Sequence, residues 1–143
     1  MSGAAPSQSK DLAWLLRGLA QEVPAIRGSA LLSSDGMLKA AYGLDRVHSE
    51  YLAALASGLF SMARSAGTKF DGAGEVRQVV AELKSSQLYL SWAGHNSVLA
   101  VLASGDADPA IVGLEMARLI RAVRPFLDTA PRPSAPGSGD RTP

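Results

Sequence analysis

The sequence predicts one α/β (α+β) domain in the order α-β-β-α-β-β-β-α, with a five-stranded antiparallel sheet. Three observations predict it. Apolar residues recur at helical spacing in three separate stretches. Between those stretches lie short runs that alternate or are apolar throughout, as strands do. Turn residues, above all Asp35-Gly36, separate the runs. A length of 143 residues with 47% apolar content suffices for a single domain with its own core.

The first helix shows in Leu12, Leu15, Leu16, Leu19 and Val23, and Pro24 stops it. Two strands follow, 28–33 and 37–42. Ser34-Asp35-Gly36 turns between them, because Asp-Gly readily takes the positive φ values of a tight hairpin. Gly43 closes that hairpin. A long helix is expected over 46–66, with Tyr51, Leu55, Leu59 and Met62 on one face. Ala53, Ala54, Ala56, Ser57, Gly58 and Ala63 leave much of its remaining surface thin. Gly67 and Gly72-Ala73-Gly74 read as a flexible link.

Three further strands come in quick succession. Residues 75–83 are rich in Val, and 88–93 alternate with Leu88, Leu90 and Trp92 on one side. Residues 98–103 are apolar on both faces, as a central strand should be. Lys84-Ser85-Ser86 and Gly94-His95-Asn96 make short connections. The last helix opens on Asp108 as N-cap and Pro109 at its first position. Its buried stripe is Val112, Met116, Leu119, Ile120 and Val123, and Pro125 ends or kinks it. Folded structure is expected over 10–128. Residues 1–9 and 129–143 hold too little apolar surface to offset the entropy of ordering.

Composition narrows the function. Fourteen Lys and Arg against 13 Asp and Glu supply no field to draw the chain onto nucleic acid or an anionic membrane. With no cysteine, disulfides, thiolate catalysis and cysteine-ligated metals are excluded. Residues 1–9 do not resemble a signal peptide, and the longest apolar run is far short of a membrane span. The expected place is the cytoplasm, with membrane association only through partners.

Few residues converge for chemistry. His48 and His95 have no metal-ligand spacing and read as surface residues. Ser33-Ser34-Asp35 lacks a base, and the turn already accounts for Asp35. Gly72-Ala73-Gly74 precedes a strand and lacks the Lys-Ser/Thr of a phosphate loop. Arg118, Arg121 and Arg124 read as a solvated face in which Glu115 pairs with Arg118, the alternative being a patch for an anion or an acidic partner. No enzymatic activity, cofactor or metal is expected. Two features point instead to a partner. The small residues of the second helix suit either close packing on its own sheet or contact with a second copy. Strand 75–83 reads as an exposed edge with apolar residues on both faces, a liability unless another strand covers it. Pairing with its own copy would be isologous.

Several segments resemble the roadblock (dynein light-chain type) domain family. Ala30-Leu-Leu-Ser-Ser-Asp-Gly-Met-Leu-Lys-Ala-Ala-Tyr-Gly-Leu44 resembles its hairpin, and Val76-Arg-Gln-Val-Val-Ala-Glu-Leu83 its third strand. Leu99-Ala-Val-Leu-Ala-Ser-Gly-Asp-Ala-Asp108, leading into Glu115-Met-Ala-Arg-Leu119, resembles its last strand and helix. One departure is Pro109-Ala110, with Gly113 later than relatives place it. The resemblance is nearest to an actinobacterial subgroup encoded in conservons. There the roadblock protein accompanies a Ras-like GTPase and a histidine-kinase-like membrane protein.

This resemblance implies a profilin-like sandwich with sheet order 2-1-5-4-3. It also implies a homodimer joined through the second helix and third strand, which here means Tyr51, Ala54, Leu55, Gly58, Met62, Arg77, Val79 and Ala81. Val79 is expected on the exposed edge strand, where Val79→Asp would weaken the dimer by burying an unpaired charge. The implied role is a non-enzymatic adaptor or regulator of a Ras-like small GTPase in bacterial signalling. A relative in gliding bacteria accelerates GTP hydrolysis, but no catalytic residue transfers from it. Arg46, His48 and Arg64 are GTPase-facing candidates by charge alone. The competing reading is a small-molecule sensor of PAS or GAF type. Against it, Leu88, Leu90, Trp92 and 98–103 read as filled core.

Overall fold

A computed structural model describes residues 6–128 of the protein. Its elements run α1 (Pro6–Glu22), β1 (Ile26–Ser33), β2 (Leu38–Tyr42), α2 (Arg46–Asp71), β3 (Gln78–Glu82), β4 (Ser86–Gly94), β5 (Ser97–Ser104) and α3 (Pro109–Asp128). The strands form one antiparallel sheet in the order β2-β1-β5-β4-β3. That is the order the family resemblance implies.

The sheet buries apolar side chains on both faces. Leu12, Leu16 and Leu19 of α1 and Val112, Met116, Leu119 and Val123 of α3 pack on one side, against Leu31, Tyr89, Leu99 and Val101. On the other side α2 lies alone, placing Leu52, Ala53, Ala56 and Phe60 on Ala30, Leu32, Leu88, Leu90, Val98 and Ala100. The central β5 alternates between the two cores, which explains its unbroken apolar run.

Strands β1, β2, β4 and β5 differ from the sequence expectation by one or two residues at an end, and other boundaries move for a physical reason. α1 begins at Pro6, four residues ahead of Lys10; the tail expected over 1–9 otherwise lies outside the described residues, as does 129–143. α2 continues to Asp71 because Gly67 is accommodated in the helix interior. It stops at Gly72, whose φ of 79° is the left-handed conformation that ends helices. β3 is shorter than expected, since residues 75–77 serve the link from α2. Pro125 neither ends nor breaks α3, which runs on to Asp128.

Turn chemistry locks the strands in register. Gly36 takes φ 93° in the first hairpin, and Met37 N–H donates to Ser33 Oγ at 3.0 Å. His95 and Asn96 both take positive φ, 49° and 60°, so the β4–β5 turn is of the hairpin-favoured mirror type. The two turns touch: Ser34 N–H donates to Asn96 O at 3.0 Å. Gly43 has φ 90°, and a Cβ there would stand 2.6 Å from Arg27 O. Gly43→Ala therefore faces both backbone strain and a backbone clash. It should cost about 1–3 kcal/mol, read as a lower urea midpoint.

Candidate interaction surface

The second helix carries most of the residues singled out above. It starts where Asp45 Oδ1 accepts the His48 N–H at 2.8 Å, the N-cap bond that satisfies a free amide of the first turn. His48 Nδ1 contacts the same oxygen at 2.8 Å, and Arg46 Nε bonds Glu50 Oε2 at 3.1 Å. Both candidate cations at this end are thus engaged with their own helix. Midway, Ser57 Oγ donates to Ser34 O at 2.8 Å and pins α2 to the hairpin turn.

The thin face resolves into two. Ala53 and Ala56 are fully buried and bring the helix close to its own sheet. Tyr51, Ala54, Leu55, Gly58 and Met62 point away, with Tyr51 64% and Met62 66% exposed. Val47 and Phe70 extend the exposed apolar stripe toward both helix ends. Leu59, expected with this stripe, is half-buried and packs on the core instead.

Among the described residues β3, at the sheet edge, pairs only with β4. Arg77 is exposed just before it. Val79 and Ala81 correct the expectation of an exposed face: both are half-buried against the α2-side core. Val80 is the apolar residue β3 leaves open, at 47% exposure. Spacing in the sequence showed two apolar faces but not which one α2 would cover.

Arg64 does not join Arg46 and His48. Eighteen residues further along one helix, at about 1.5 Å each, it stands roughly 27 Å away. Its guanidinium lies over the rings of Phe60 and Trp92, at 5.6 and 5.3 Å from their centroids. The alternation of 88–93 places Trp92 in the core. Nothing in its spacing marks it as the platform for an arginine.

Asp35 is fully occupied by its turn. Its carboxylate accepts a bond from the Ser33 hydroxyl, the main cause of a lowered pKa. Among the described residues, no group of three or more His, Asp or Glu could hold a metal ion. No helix among them is long and apolar enough to cross a membrane.

Helices on both faces of a five-stranded antiparallel sheet, in this strand order, define a profilin-like α+β fold. The chain belongs to the Roadblock/LC7 domain family, whose family model matches residues 12–103. A Roadblock/LC7 domain from Streptomyces avermitilis is 51% identical, with a TM-score of 0.79 over 81% of this chain and 97% of that one. MglB of Myxococcus xanthus, 17% identical, superposes with a TM-score of 0.79 over 92% of this chain and 98% of its own. Profilin IB of Acanthamoeba castellanii, 16% identical, shares the fold with a TM-score of 0.54 over 81% and 95% of the two chains. No curated protein matches the chain.

The Asp45 cap has a pH signature. The His48 N–H bond, the largest cause, lowers the carboxyl pKa below its ordinary 3.8. A carboxylate with a depressed folded pKa stabilises fully above its unfolded value and loses that contribution as pH falls through the folded one. Asp45→Ala should be less stable than the wild type at neutral pH. The gap in urea midpoint should narrow as pH drops below 3.8.

Proposed function

We propose that the chain is a homodimeric adaptor or regulator of a Ras-like small GTPase in bacterial signalling, acting as an activating or scaffolding subunit. The reading extends to an assembly with a histidine-kinase-like membrane protein. Family membership supports it, as does likeness in fold to MglB, which from Thermus thermophilus is a gliding protein. The observation that carries the dimer is the coincidence of two unsatisfied surfaces.

Those surfaces are the exposed flank of α2 and the open edge of β3. Leu83 lines one groove with Tyr51 and Leu55, and Val76 lines one cavity with Phe60 and Arg64. Hence the middle of β3, Val80, lies beside the middle of the stripe near Gly58. A single two-fold axis there satisfies both surfaces at once. Antiparallel β3 pairing about Val80 sets Gln78 opposite Glu82 of the second copy. Antiparallel contact of α2 near Gly58, where no side chain intrudes, sets Leu55 against Met62 of the second copy and Tyr51 against Ala66. Ala54 lies on the same stripe, Arg77 flanks the strand contact, and Val79 and Ala81 back it from beneath. Arg46, His48 and Arg64 remain the basic candidates for the GTPase, now at opposite ends of each α2.

Sedimentation at micromolar concentration should give a dimer. Leu55→Asp and Val80→Asp should each weaken it by about tenfold or more by burying an unpaired charge. Both residues are exposed, so each variant should keep the wild-type far-UV circular dichroism as a folded monomer. Val79→Asp would confound the measurement with core damage. In a pull-down with a Ras-like GTPase encoded beside it, binding should appear in the GDP or the GTP state. A monomer overturns the interface, and absence of binding in both states overturns the regulator.

A further inference from the structure

A cavity of about 480 Å³ opens at the C-terminal half of α2, where residues 72–77 cross to β3. Its walls are Phe60, Arg64, Gly74, Glu75, Val76, Arg77 and Trp92. Phe60 and Trp92 stack with centroids 5.8 Å apart and planes 19° from parallel. The guanidinium of Arg64 lies over both rings, and its Nε is buried without a hydrogen-bond partner. Two arginines face one glutamate here. Among the described residues neither arginine side chain makes an ion pair.

The arginine is held in place. Gly74 presses the linker against its stem, since a Cβ there would stand 3.1 Å from Arg64 Cγ. A clamped, stacked guanidinium has already lost much of its rotamer freedom, so an anion reaching its terminal nitrogens recovers more of the contact energy. Partial desolvation strengthens that attraction further. Guanidinium matches carboxylate in a planar, two-point contact. The Trp92 and Val76 walls offer an apolar surface for whatever carries the charge. The volume falls within the range of small-molecule sites.

We propose that this cavity binds a small planar organic carboxylate, its charge on Arg64 with Arg77 opposite and its flat body against Trp92 and Val76. The site shares Arg77 with the flank of the proposed dimer contact and Arg64 with the GTPase candidates, but its walls all belong to one chain. A concave volume with an aromatic wall favours a small molecule over an acidic side chain of a protein.

Trp92 reports directly on binding. The chain has two tryptophans, and Trp14 lies outside the cavity, so Trp14→Phe leaves Trp92 as sole fluorophore. Benzoate should change its emission saturably. Acetate, inorganic phosphate and benzamide, each lacking the body or the carboxylate, should bind at least about tenfold more weakly. Arg64→Gln should weaken benzoate by about tenfold or more, and Arg64→Lys by less, because charge survives without the planar fork. Arg77→Gln should also weaken it. No saturable response to benzoate, equal affinity in Arg64→Gln, or tighter binding of a short acidic peptide than of benzoate would each overturn the proposal.

Discussion

One helix covers one whole face of a five-stranded sheet, and the open surfaces of this molecule follow from that mismatch. Strands spaced about 4.8 Å apart put the outer two roughly 19 Å from each other, whereas a helix with its side chains is about 10–12 Å across. On the opposite face α1 and α3 share the task and leave open the β3 edge, where Val80 pairs with buried Tyr89. Alone on its face, α2 seals the centre through Leu52, Ala53, Ala56 and Phe60. It cannot also close the β3 edge. An apolar groove lined by Tyr51, Leu55, Leu83, Leu88 and Leu102 stays open at one end of the helix, and the Arg64 cavity at the other.

The position of α2 is held by small residues and polar pins rather than by bulk. Ala53 and Ala56 let its backbone approach the sheet. Ser57 bonds the first hairpin turn, and that turn bonds the β4–β5 turn through Ser34 and Asn96. The helix and both hairpins therefore form one connected unit at that end. On the far side Gln87 Nε2 donates to Gly105 O at 3.0 Å and Ala107 O at 3.2 Å, anchoring the loop that leads into α3. Buried Tyr89 donates its hydroxyl to Gln87 and orients it. These polar side chains join loops to strands and to α2.

The stripe from Tyr51 to Met62 and the edge at Val80 are the exposed apolar surfaces on which the proposed homodimer rests. The basic residues are divided. Arg46 and His48 sit at the capped start of α2 and bond to its own carboxylates, while Arg64 is stacked on two aromatic rings. Charge alone grouped these three, and helix length separates them.

Local chemistry was enough to place most elements. The Leu12–Leu19 spacing, Asp35-Gly36, Asp108-Pro109 and the apolar run of β5 each act within a few residues, so periodicity and turn preference reveal them. The boundaries that moved depended on neighbours: Gly67 continues a helix instead of ending it, and the linker at 75–77 shortens β3. Strand order came from the family resemblance and not from spacing. Asp35-Gly36, the clearest signal in the chain, forms the expected turn, with Gly36 at φ 93°. Which side of a two-faced element meets the core was decided only in three dimensions. Val79 went inward and Val80 outward, Ala53 inward and Gly58 outward, because burial on one face of the sheet is settled by where α2 lies, and no local preference encodes that.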